Sequence, residues 1–162
     1  MAPAPPSPQP AAHPDLLTLR AWLEAGAETV TLMGDPARPE AIGAWYATHL
    51  QTARLSLQHA LPLVLLQTTF CARPRRRAEV LPLLAQANQQ IERGRWFLRR
   101  DPLRLCYAME LPATLLDAER FVREWRRFHD EAVAHGIELT LRTRAEAHVD
   151  ALRARLREPA AH

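Results

Sequence analysis

The stretch EAIGAWYATHLQTARLSLQHA, residues 40–60, decides between two folds, because two periodicities run through it. Ile42, Trp45, Leu50, Ala53 and Leu57 lie on one helical face. Yet Ile42, Ala44, Tyr46, Thr48 and Leu50 alternate as a strand would, and so do Leu55 and Leu57. The residues alone leave both readings open. Just downstream the pattern is single. Val64, Leu66, Thr68 and Phe70 alternate in a β-branched-rich segment, which predicts a half-buried strand.

Working outward, Asp15 is placed to cap a helix carrying Leu16, Leu19, Trp22 and Leu23, and Gly26 to stop it. Thr29–Met33 reads as a short strand closed by the turn Gly34-Asp35-Pro36. After a break at Ala72-Arg73-Pro74, Val80, Leu84, Ala87 and Ile91 predict a helix over 78–93, with Pro82 in its opening turn and Gly94 ending it. Residues 95–100 and 103–111 read as a hairpin joined at Asp101-Pro102, with Leu103, Leu105, Tyr107, Met109 and Leu111 on one side and Arg104, Cys106 and Glu110 on the other. Thr114 to Asp117 has capping-box spacing before a helix bearing Phe121, Trp125, Phe128 and Ala132, which Gly136 would stop. Residues 137–141 read as a strand or a turn. Thr143 to Glu146 would then cap a last helix carrying Ala145, Val149, Leu152 and Leu156.

The chain has 162 residues, 48% of them apolar, with 21 basic residues that are all arginine, 18 acidic ones and a net charge of +3. That length suits one domain, which buries roughly 70% of its unfolded surface. The composition excludes a disordered or fibrous chain. Residues 1–14 hold six of the 14 prolines and are expected to stay extended or disordered. They also lack the basic and apolar regions of a signal peptide. The longest apolar run, Leu61 to Leu66, is six residues, far short of the roughly 20 a membrane span needs. Cys71 and Cys106 read as two buried thiols in preference to a disulfide, so the expected location is the cytoplasm.

Residues 15–135 resemble the YbjN family, whose fold is that of type III secretion chaperones. The resemblance rests on Thr18-Leu-Arg-Ala-Trp-Leu23, Ala53-Arg-Leu-Ser-Leu57, the run Ala78-Glu-Val-Leu-Pro-Leu-Leu84 to Asn88, and Gly94-Arg-Trp-Phe-Leu98. It implies strands over 40–60, and an α+β domain over 15–136 with an antiparallel sheet and helices packed on one face, in the order helix–strands–helix–hairpin–helix. Residues 137–158 are then an additional C-terminal segment. It further implies a small bacterial, cytosolic, non-enzymatic and commonly dimeric protein that holds an extended segment of another protein, as a chaperone or adaptor does.

The residues carry no catalytic motif, which leaves an enzyme as the third reading. None of the seven histidines has a second one three or four residues away, neither cysteine has a CxxC partner, and phosphate-cradle and nucleophile-elbow motifs are missing. No cofactor or metal is expected. The sharper feature is charge. Nine arginines against three acids lie between Arg73 and Arg104, on an otherwise slightly acidic chain. Arg73, Arg75, Arg76, Arg77, Arg95 and Arg99 are therefore the candidate partner-binding residues. Arginine beside Trp96 keeps nucleic acid as the alternative partner. Phe121, Trp125, Phe128 and Val133 are the candidate dimer or client contact, against the plainer reading that their stripe covers the sheet.

Overall fold

The computed structural model describes residues 13–46, 49–70, 77–100 and 104–157, with side chains for all of these except 77–79 and 143–157. The Pro-rich residues 1–12, Cys71, and the arginines at 73, 75 and 76 lie outside the described residues. Helix α1 (Leu16–Ala25) opens at Asp15, whose carboxylate accepts the Thr18 amide at 2.7 Å. This satisfies one donor that a helix start leaves unpaired, and it holds the Asp15 carboxyl below its usual range. Gly26 follows the helix as expected, but the left-handed residue is Ala27, at φ 64°.

Strands β1 (Thr31–Asp35), β2 (Arg38–Trp45), β3 (His49–Gln58) and β4 (Leu61–Phe70) precede helix α2 (Arg77–Gln89), and β5 (Gly94–Arg99) and β6 (Arg104–Pro112) follow it. The six form one antiparallel sheet in the order β1-β2-β3-β4-β6-β5. Residues 40–60 are thus strands. Ala53 stands opposite both Ile42 and Leu66, so the alternate apolar residues of three strands share one buried face. His59 and Ala60, both at positive φ (50° and 63°), form the two-residue turn between β3 and β4, a conformation neither residue type advertises.

Several sequence expectations give way after β4. Helix α2 ends at Gln89, and Pro82 is its sixth residue, beyond the opening turn. Gly94 stops nothing. It begins β5 where a Cβ would meet the Tyr107 hydroxyl oxygen at 2.1 Å, so only glycine lets that ring pass. The cap before the last helix is Asp117, which accepts the Arg120 amide at 2.8 Å, while Thr114 sits in a short 3-10 turn. From there α3 (Ala118–Arg157) runs unbroken for 40 residues, through Gly136, the segment 137–141 and the second capping box.

All three helices lie on one face of the sheet. The Gln51 side-chain amide donates to the Trp125 carbonyl at 3.0 Å, tying α3 to β3. Asn88 accepts the Trp96 amide at 2.6 Å and donates to its carbonyl at 2.9 Å, tying α2 to β5. Arg126 reaches Glu28 at 2.8 Å and the Gly26 carbonyl, tying α3 to the end of α1. Beneath them Ile42, Ala53, Val64, Leu66, Leu105, Tyr107 and Met109 form the sheet's half of the core. The packed helices and the one-sided core make the α+β class anticipated from the sequence.

Candidate interaction surface

Phe121, Trp125 and Phe128 are fully buried against the sheet, and Val133 is half-buried. The three rings therefore cover the core and present no contact surface, which corrects the seam reading in favour of the plainer one. Tyr107 stacks on Phe128 at 5.0 Å and on Trp96 at 5.0 Å, so the α3 stripe continues an aromatic layer begun on β5 and β6. Burial and the neighbouring Glu131 carboxylate push the Tyr107 phenol well up, and its hydroxyl donates to Glu131 at 3.0 Å.

Strand alternation sorts the basic region. Trp96 points into the core and is 2% exposed, while Arg95 and Arg99 point to the opposite, outer face. The arginine–tryptophan interleaving seen in the sequence is thus split between two sides of the sheet. Arg77 is the first residue of α2 and its side chain lies outside the description. Arg93 turns to the helix side and bonds both Glu124 oxygens at 3.1 and 3.2 Å.

The outer face carries what the sequence did not assemble. One row crosses five strands: Trp45 opposite Leu50, Leu50 opposite Thr69, Thr69 opposite Cys106, and Cys106 opposite Phe97. Trp45 is 73% exposed, and Leu50 and Phe97 are half-buried. Half-buried Leu63 and Leu65 extend the apolar area along β4. Cys106 lies at the row's floor, fully buried by its neighbours, with Thr69 Oγ1 3.6 Å from its sulfur. Burial pushes its thiol up, so it is a packed neutral group. Arg54 and Arg104 join Arg95 and Arg99 on this face, all four exposed. No described helix packs over any of these residues.

Elsewhere, a groove of about 700 Å³ between α1 and α3 has an apolar floor of Trp22, Ala25 and Val122. The arginines on its rim are already engaged by Glu119, Glu28 and Glu131. Among the described residues no three His, Cys, Asp or Glu side chains converge as a metal site requires, and no helix is long and apolar enough to cross a membrane.

A one-sided antiparallel sheet with a helix before, within and after it defines the class of this fold. Its particular likeness is to the crystal structure of YbjN, a proposed transcription regulator from E. coli, at TM-score 0.56 and 19% identity, over 83% of this chain and 94% of that one. The fold is YbjN-like. No family model matches the chain. Nor does any curated protein sequence.

Proposed function

We propose that this protein is a non-enzymatic, chaperone-like adaptor that binds another protein across the outer face of its sheet, acting as a homodimer. One observation carries the reading: the apolar row from Trp45 to Phe97 spans five strands and no described element covers it. Apolar side chains gathered on the open side of a sheet, here Trp45, Leu50 and Phe97 with Leu63 and Leu65 beside them, are the kind of surface that marks a protein contact. Polar groups under the helices serve packing: buried Glu124 holds Arg93, and buried Gln51 and half-buried Asn88 hold the helices. The resemblance to chaperones that hold extended client segments points the same way. A nucleic-acid role is the second reading, favoured by the four outer-face arginines and by the regulator role proposed for YbjN.

Affinity capture from lysate of the source cells, treated with nuclease, tests the choice. Trp45→Ala or Phe97→Ala removes one end of the row and is expected to cut recovery of a discrete protein roughly tenfold, the loss of one interface anchor. Recovery that depends on nucleic acid, or that ignores both substitutions, would sink the adaptor reading. Light scattering of the purified chain at micromolar concentration is expected to give twice the 18.4 kDa of the monomer. A monomer mass removes the homodimer.

A further inference from the structure

We infer that the segment accepted by the outer face is acidic as well as apolar, and that Arg54, Arg95, Arg99 and Arg104 select it. The inference rests on the adaptor reading and adds the partner's chemistry. It starts from register. Arg99 and Arg104 stand directly opposite each other across the β5–β6 ladder, where like charges oppose pairing. Arg95 faces Ala108, and Arg54 faces Leu65, so neither has a carboxylate across its strand. None of the four guanidinium groups makes an ion pair or a hydrogen bond with the described residues.

The contrast with the helix side is sharp. There Arg20, Arg93, Arg123, Arg126, Arg127 and Arg142 each hold a glutamate. On β3 to β6, the strands that carry these four arginines and their neighbours, the one described carboxylate is Glu110, which accepts a hydrogen bond from Gln58 at 3.2 Å. These strands therefore present four cations to a single carboxylate around an apolar row. Carboxylates delivered between Arg99 and Arg104 would turn their repulsion into two charge-assisted bonds.

The apolar part decides between an acidic polypeptide and a nucleic acid. Base stacking needs aromatic rings under successive bases. Here the two rings stand at opposite ends of the row, four strand spacings or about 19 Å apart, with Leu50, Thr69 and Cys106 between them. Leu63 and Leu65 widen the same aliphatic ground. Such a surface fits leucine-like side chains with acidic neighbours, in an extended or helical segment.

Selection from a displayed library of random 16-residue peptides, run on the full chain at low salt, tests this. Wild type is expected to enrich peptides combining Leu, Ile or Phe with a net negative charge. Their recovery should fall at least tenfold on the triple variant Arg95→Glu, Arg99→Glu, Arg104→Glu, and again as NaCl rises toward 0.5 M. The same peptides should also be lost from Trp45→Ala. A matched circular-dichroism melt shows that each variant is folded, since all the replaced side chains are exposed. Apolar peptides with no acidic bias, retained by the triple variant, would overturn the acidic preference and leave the adaptor reading standing. No enrichment at all, or enrichment untouched by Trp45→Ala, overturns both. Displacement of the enriched peptides by single-stranded DNA at stoichiometric concentration would assign the arginines to phosphate instead.

Discussion

Gly136→Ala is expected to destabilise the protein by about 2–3 kcal/mol, the cost of overpacking a filled site, although alanine favours a helix interior by about 1 kcal/mol over glycine. The sign reverses because α3 crosses β4 at this point. A Cβ at 136 would meet the Phe70 ring at 2.2, 2.5 and 2.7 Å, closer than any relaxed contact. Phe70 cannot swing away, since His49 stacks on it at 5.0 Å and Trp96 packs on it at 5.5 Å. A thermal melt should show a fall of roughly 5–10 °C for a domain of this size. Phe70→Leu costs stability alone but should recover part of it in the Gly136→Ala background, because the leucine leaves room for the methyl. Simple additivity of the two changes would show that the crossing is looser than described, and a stabilised Gly136→Ala would show that helix propensity governs the site.

Lowering the pH from 7 to 4 is expected to remove about 3 kcal/mol of stability through His49 alone. The ring is 1% exposed, lying between Tyr46 at 5.1 Å and Phe70 at 5.0 Å, with His129 at 5.1 Å. Burial, and then the charge of His129, lower its pKa from 6.5 to about 4. The folded protein therefore binds fewer protons than the unfolded chain between those two values. The stability this represents is complete above about pH 6.5 and is lost as the pH falls through 4. Urea unfolding of wild type and His49→Phe at pH 7, 5.5 and 4 measures it, the phenylalanine keeping a ring in the stack. The difference in unfolding free energy between the two proteins should shift by about 3 kcal/mol against wild type across the range. A constant difference would mean that His49 charges in the folded state as readily as in the unfolded chain.

Much of the fold was legible because the rules that generate it are local. Asp15 declares a helix start, since a carboxylate beside unpaired amides has one stabilising use there. Val64, Leu66, Thr68 and Phe70 declare a one-sided strand by period alone, and each is buried. The α2 stripe of Val80 and Leu84 and the α3 stripe of Phe121, Trp125 and Phe128 were readable for the same reason. Residues 40–60 were not, because apolar side chains three, four and five apart satisfy a helix as well as a pair of strands. The strand pairing that resolves them lies in β4, up to 21 residues further on.

The surface was less legible than the core. Arg95 and Arg99 were visible as charge, but Trp96 between them belongs to the opposite face. Arg54 and Trp45 gave no signal in isolation. Once β3 is known to bury Gln51 and Ala53, however, the even-numbered Leu50 and Arg54 must face outward.

The sequence by itself determined the class of architecture, the first helix cap and the apolar faces, all set by interactions within a few residues. Tertiary structure alone decided what Gly94 and Gly136 are for. Both look like helix stops, yet one makes room for Tyr107 and the other for Phe70, residues 13 and 66 positions away. Tertiary structure also set Arg99 against Arg104 and placed Arg54 on the same outer face. Strand register brings such residues together, and no local propensity encodes it, because it follows from which apolar faces can be buried at once.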